Sequence, residues 1–222
     1  MKVLLSTLAI NDPNYGNYTI PIFKNYAKKY NFDFYIHKEL NNKTNRLHYE
    51  KFEIIRKFLN SNYDLLIYLD LDILIKNNCD NILDYYEINN NEVLAVRDMN
   101  VHDITPVTNY YNSGVLIFNK ISAKTIIDNF NESKKFPYEP IKLLIFDKLQ
   151  NTTISTNGEQ HYFNLLFKKL KVKEMNNNWN YAPNDYNKMK EKNFIHLINP
   201  DTKLKFINDK NYRNKLFKLM GY

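Results

Sequence analysis

One cysteine, Cys79, is all that the 222 residues contain. An internal disulfide and a cysteine-rich metal cluster are therefore excluded, and a lone thiol suits a reducing compartment. Glycine is nearly as scarce, with four in the chain. No glycine-rich loop is present to cradle phosphates, and the sequence holds neither a Gly-x-Ser-x-Gly elbow nor a zinc-binding helix motif. No Gly/Ser-rich or Pro-rich linker and no internal repeat divides the chain. No apolar run approaches membrane-spanning length. The apolar part of residues 2–10 is short and lacks a cleavage signal, so it reads as a first strand and the expected location is cytoplasmic.

What is present fits one globular unit over residues 1–222, with 44% hydrophobic and 25% charged residues. The net charge of +7 favours anionic ligands without choosing among sugar nucleotide, nucleic acid and anionic lipid. Tyrosines are plentiful but scattered, unlike the interleaved basic and aromatic strands of base-stacking modules, which argues against nucleic acid.

The strongest local pattern is the run Leu-Leu-Ile-Tyr-Leu-Asp-Leu-Asp-Ile-Leu-Ile over residues 65–75. Its uncharged first half reads as a buried strand of a parallel sheet. Asp70 and Asp72 close it at spacing i, i+2, on one side of an extended chain. In an α/β sheet, ligands sit at the carboxyl ends of the strands, and two carboxylates there call for a hard divalent cation. The alternative is a surface turn with solvated carboxylates. Around this strand, residues 2–8 and 32–37 read as strands. Residues 19–30, capped by Thr19, and a segment with Tyr49, Phe52, Ile55 and Leu59 at helical spacing read as helices. The order β-α-β-α-β predicts an α/β doubly wound sheet. Further on, strands are expected at 93–96, 114–119 and 194–198, and helices at 122–130, 159–169 and 210–220.

Several polar residues punctuate these elements. Asn112 and Ser113 stand at a strand entrance, and Gly114 lets something approach the backbone; a plain turn is the alternative. Gly158-Glu159-Gln160 opens a helix, where Glu159 suits the dipole or, with Gln160, holds a polar substrate. His196 lies in an apolar strand and reads as a core residue or a metal ligand. Lys51, on the helix before the Asp strand, is either solvated or directed at an anion, and Asp98 at the end of its strand is equally ambiguous.

Together these segments resemble the GT-A glycosyltransferases of family 8, the glycogenin and bacterial lipopolysaccharide galactosyltransferase type, over about residues 3–203. The resemblance implies a single Rossmann-like mixed sheet flanked by helices. It also implies hexose transfer, glucose or galactose, from a UDP-sugar to a hydroxyl acceptor with retention of configuration. Thr7-Leu-Ala-Ile-Asn-Asp12 is similar to the family's uridine loop, so Leu8, Ile10, Asn11 and Tyr15 would line base and ribose. Lys51 matches the lysine on the helix before the metal strand. Asp70-Leu71-Asp72 matches the Asp-x-Asp motif that binds Mn2+ (or Mg2+) and the diphosphate, and His196 matches the third metal ligand. Asn112 and Ser113 match the segment beside the donor sugar. Glu159-Gln160 stands where the family has Asp-Gln, and Asp98, Glu159 and Gln160 form the implied catalytic set. The chain departs from the family at Asn199 in place of a late glycine, and at Thr156 in place of an aspartate. The phosphate-binding lysine falls at Thr202 by strict spacing, with Lys203 one place further.

The expected partners are a UDP-sugar donor and a glycan, lipid-linked sugar or protein hydroxyl as acceptor, with the oligomeric state open, a homodimer included. Residues 203–222 carry six Lys/Arg against Asp209. With Tyr212, Leu216, Leu219 and Met220 on one stripe, this segment reads either as a helix docked on the domain or as a peripheral membrane contact. The competing classes are a sugar-phosphate nucleotidyltransferase, which also pairs carboxylates with metal, and a non-catalytic nucleotide- or sugar-binding protein.

Overall fold

The computed structural model describes residues 1–12, 14–41, 47–98, 110–133, 159–182, 186–198 and 200–222. Thr156, Gly158 and Asn199 lie outside the described residues. The large sheet contains β1 (Val3–Leu8), β2 (Asp33–His37), β3 (Leu65–Leu69), β5 (Glu92–Arg97), β6 (Tyr111–Asn119) and β7 (Lys171–Met175), in the order β2-β1-β3-β6-β5-β7. A second, two-stranded sheet pairs β4 (Ile73–Ile75) with β8 (Phe194–His196). The helices are α1 (Gly16–Lys29), α2 (Glu50–Leu59), α3 (Lys120–Ser133), α4 (Glu159–Phe167), α5 (Tyr186–Met189), α6 (Pro200–Asn208) and α7 (Lys210–Leu219).

Strand direction brings the motifs together. Strands β2, β1 and β3 pair in parallel, β6 pairs antiparallel with both β3 and β5, and β7 runs parallel to β5. Hence β6 alone runs the other way in this sheet. Its amino end, carrying Asn112 and Ser113, meets the carboxyl ends of β1, β3 and β5. The chain order reverses between β1 and β3, which is where ligands bind in open α/β sheets.

Alternation along β3 builds two cores, as a strand buried on both faces requires. Leu65, Ile67 and Leu69 pack with Ile22, Phe23, Tyr26, Phe206 and Leu216, while Leu66 and Tyr68 pack with Phe52, Phe58, Ile126 and Phe163. Glu50 seats the start of α2 by accepting hydrogen bonds from the Asn41 amide (2.7 Å) and pairing with His37 Nε2 (2.7 Å). That seating delivers the next residue, Lys51, toward the sheet edge.

Several sequence expectations are corrected here. The run 65–75 is two strands, broken by a turn at Asp70–Asp72, and Ile73–Ile75 belongs to the small sheet. Helix α1 starts at Gly16, earlier than expected, because the Asp12 carboxylate accepts from the Gly16 amide (2.8 Å); Thr19 lies inside the helix and bonds back to the Tyr15 carbonyl. β7 and α6 were not expected at all. Of the two readings of residues 203–222, the docked one holds: Leu216 and Met220 are fully buried and Tyr212 and Leu219 pack on the same core. What this segment turns outward includes Lys205, Lys210, Lys215 and Lys218. No helix among the described residues is long and apolar enough to cross a membrane.

Candidate active site

The two aspartates converge through a turn, not along an extended strand. The Asp70 amide donates to the Gly114 carbonyl (2.8 Å), and the Ile73 amide donates back to the Asp70 carbonyl (3.2 Å). Asp72 then accepts, through its carbonyl, the amide of Leu197 just past β8 (3.0 Å). Strand pairing of Ile73 with His196 completes the convergence. His196 Nε2 lies 3.1 Å from Asp72 Oδ1 and 3.7 Å from Asp70 Oδ2. One ligand atom from each of Asp70, Asp72 and His196 falls within 4.8 Å of the others. Two carboxylates and an imidazole suit a divalent cation such as Mn2+, with hard oxygen ligands and one nitrogen.

Each aspartate also has a lysine. Lys51 Nζ sits 2.9 Å from Asp70 Oδ1 and 2.7 Å from Glu159 Oε1, and donates to Ser113 Oγ (3.2 Å). Its side chain is 3% exposed, so the solvated alternative for Lys51 is overturned. Burial disfavours its ammonium, but Asp70 and Glu159 outweigh that and raise its pKa above the ordinary lysine value. Tyr68, two residues before Asp70 on the same face, donates its hydroxyl to Asp70 Oδ1 (2.7 Å). Lys203 reaches Asp72 Oδ2 at 2.5 Å from helix α6. Burial works against the Asp72 carboxylate, but His196 and Lys203 prevail and hold its pKa well below the usual range.

Beside this cluster stands a polar chain. Glu159 Oε1 also accepts from Ser113 Oγ (3.0 Å), the Ser113 amide donates to Gln160 Oε1 (3.2 Å), and Gln160 Nε2 donates to Asp98 Oδ2 (2.8 Å). Asn164 clamps both backbone groups of Tyr111 (2.7 and 2.8 Å), holding α4 to β6. Asp98, Asn112, Ser113, Glu159, Gln160, Lys51, Asp70, Asp72, His196 and Lys203 therefore form one connected group. Tyr15 joins it: burial first, then the charges of Asp72 and Asp12, push its phenol up to about 12. Leu8, Ile10 and Asn11 lie where the chain leaves β1 beside the end of β3, since Thr7 pairs with Leu69. Leu71 lies in the turn between the aspartates, partly buried.

Past Asp98, a cleft of about 260 Å3 is lined by Val96, Arg97, Glu174, Met175, Asn176 and Asn177. Arg97 Nη2 pairs with Glu174 Oε2 there at 2.5 Å.

The sequence reading missed Asn180, which bonds to both His196 and Asn112. Nothing marked it among many asparagines. Tyr68 carried a legible signal, its i, i+2 spacing from Asp70.

No family model matches the chain, and no curated protein matches it in sequence. Solved structures do. A glycosyltransferase involved in glycosylation of the major capsid of PBCV-1 superposes with a TM-score of 0.67 at 14% identity, covering 91% of this chain and 97% of that one. This is the GT-A glycosyltransferase fold. Galactosyltransferase LgtC, solved with donor and acceptor sugar analogues, shares the GT-A fold at TM-score 0.56 and 14% identity, covering 100% of this chain and 95% of that one. A Drosophila galactosyltransferase solved with manganese, UDP-galactose and xylobiose does so at 0.50 and 12%, covering 91% and 74%. Within the GT-A fold of this chain, the carboxylate-histidine group lies at the reversal point of the sheet.

Lys51→Met tests the arrangement directly. It leaves Asp70 and Glu159 without their shared cation, which should lower stability by about 3–5 kcal/mol. Pairing it with Glu159→Gln removes one of the stranded charges, so the double variant should lose less than the sum of the two singles. Urea denaturation of the four chains measures both effects, and strict additivity would show that the pair is not coupled.

Proposed function

We propose that this chain is a metal-dependent glycosyltransferase that moves a hexose, glucose or galactose, from a UDP-sugar to a hydroxyl acceptor with retention. The observation that carries this reading is the convergence of Asp70, Asp72 and His196 at the sheet's reversal point, with Lys203 alongside. Two buried polar atoms support a nucleotide near the end of β1. Of the three buried side-chain atoms without a hydrogen-bond partner among the described residues, Ser6 Oγ, Thr7 Oγ1 and Asp12 Oδ1, the last two are this pair. Each such group costs about 1–3 kcal/mol unless a ligand answers it.

Asp70, Asp72 and His196 would hold the cation, Mn2+ in this reading. When bound, the cation supplies Lewis-acid stabilisation of the charge that develops on the leaving UDP β-phosphate. Lys203 adds positive charge beside Asp72. Lys51 fixes Asp70 and Glu159 in place. Asp98, Ser113 and Gln160 orient the sugar hydroxyls, and orientation itself lowers the barrier. Asn112, whose Oδ1 is turned inward, offers the donor its amide nitrogen. Glu159 is committed to Lys51 and Ser113, which suits a positioning role better than attack on the sugar. The step is then same-face substitution. The bond from the anomeric carbon to the phosphate oxygen breaks, the acceptor oxygen bonds to that carbon, and the acceptor proton passes to the departing β-phosphate. The cleft beside Arg97 and Glu174 takes the acceptor, a glycan, a lipid-linked sugar or a protein hydroxyl.

UDP release should depend on Mn2+, appear with UDP-glucose or UDP-galactose from a panel of UDP-sugars, and vanish on chelation. A coupled UDP assay measures it. Pyrophosphate release with a sugar phosphate and UTP, or binding of UDP-sugar without turnover across an acceptor panel, would overturn this reading.

A further inference from the structure

Asn180 is 7% exposed and sits between two site residues. Its Oδ1 lies 2.9 Å from His196 Nδ1, and its Nδ2 donates to Asn112 Oδ1 at 2.7 Å. Asn112 Oδ1 in turn accepts the Gly114 amide, also at 2.7 Å. The direction of every bond in this path follows from its first member. A backbone N–H can only donate, so the Asn112 atom that faces Gly114 is its oxygen. An oxygen can only accept, so the Asn180 atom that faces Asn112 is its nitrogen. The Asn180 atom left to face His196 is then its oxygen, and His196 Nδ1 carries a proton. Nδ1 is thereby taken by Asn180, and Nε2, the atom that faces Asp70 and Asp72, is the nitrogen left to ligate a cation.

We infer that Asn180 is a positioning residue for the metal site. With Asn112 it transmits the polarity of the Gly114 amide to His196, and so selects the tautomer that can ligate a divalent cation. A ligating histidine needs its second nitrogen held by an acceptor, and removal of such an acceptor lowers metal affinity by about 10- to 100-fold. Asn180 is itself held in place. Its neighbour Tyr181 exchanges backbone bonds with β8, donating to the Phe194 carbonyl (3.0 Å) and accepting the His196 amide (2.9 Å). Asn112 Oδ1 thus accepts from two donors at once, the Gly114 amide and Asn180 Nδ2. The inference rests on the metal reading given under Proposed function.

The test uses the full chain without nucleotide. Mn2+ affinity is read from the electron paramagnetic resonance signal of free Mn2+. The tautomer is read from the 15N shifts of the His196 ring with diamagnetic Cd2+ bound. Asn180→Ala should bind Mn2+ about 10- to 100-fold more weakly, and Asn180→Asp, which keeps an acceptor facing Nδ1 but loses the donor to Asn112, should recover part of the loss. The wild-type ring should show its proton on Nδ1. A folded Asn180→Ala that binds Mn2+ like the wild type overturns the inference, as does a wild-type ring protonated on Nε2. The second measurement needs no variant to fold. A wild-type chain that binds no Mn2+ overturns the metal reading and this inference with it. Mn2+ binding that survives Asn180→Ala overturns the inference alone.

Discussion

Asp72→Ala is expected to reduce Mn2+-dependent UDP release by about 10³-fold, the scale of losing a built electrostatic stabiliser. Asp72 is held by His196 at 3.1 Å and Lys203 at 2.5 Å, and in the proposed reading its removal would deprive the cation of one of three protein ligands. The fold should survive. The Lys203 side chain is 32% exposed and can turn to water once its partner is gone. Stability should nevertheless fall somewhat at neutral pH, and the sign is fixed by the depressed pKa. A carboxylate whose folded-state pKa lies below the ordinary 3.8 contributes stability above that value and loses it as pH drops through the folded-state pKa. The metal-free wild type should therefore be more stable than Asp72→Ala at pH about 7, and the gap should close in strong acid. Mn2+ affinity, UDP release and urea denaturation at two pH values check the three parts. Turnover near the wild-type rate would sink the metal-assisted reading.

Gly114→Ala should have the second largest effect, although Gly114 is not one of the metal ligands. A Cβ built there would stand 2.6 Å from His196 Nδ1 and 2.9 Å from Asn112 Oδ1, well inside contact distance. The ring has little room to yield, since His196 is paired with Ile73 through its strand and bonded to Asn180. The glycine is needed because an imidazole lies against its backbone. Displacement by about 1 Å at such a site costs about 10²-fold in rate, which is the expected loss of UDP release. Overpacking should add about 1–3 kcal/mol of destabilisation. Urea denaturation measures that part, and Mn2+ titration separates ring displacement from unfolding. A stable Gly114→Ala with wild-type Mn2+ affinity would show that the ring does not depend on this close approach.

The sequence was most legible where one physical signal dominated. The uncharged run through Leu65–Leu69 reads as a buried strand, and all five residues of β3 are buried. The turn after it was not legible, because Leu71 carries no turn signal and Ile73–Ile75 is as apolar as what precedes it. Only pairing with β8 separates the two strands. β7 was hidden because Lys-Val-Lys-Glu-Met is charged, as suits an edge strand. The start of α6 did carry a signal, Pro200 at the first helical position followed by Asp201. Strict motif spacing pointed to Thr202 for the lysine, but the helix brings Lys203 to Asp72. Among site residues, Asp70, Asp72 and His196 were readable as chemical types. Asn180 was not, since its contribution depends on which end of an amide faces which neighbour.

The β5–β6 ladder shifts register between Ala95, which faces Leu116, and Val96, which faces Asn112. Ser113, Gly114 and Val115 fall between those pairs, with no partner on β5. The Ser113 amide goes to Gln160 and the Gly114 amide to Asn112, while β3 still pairs with Val115. The sheet thus closes on both sides of the segment that serves the site, much as a hem closes around a buttonhole. Ser113 is thereby released from the fabric on its β5 side, and its bonds run instead to Lys51, Glu159 and Gln160, so that a loop of the weave is left for the site to use.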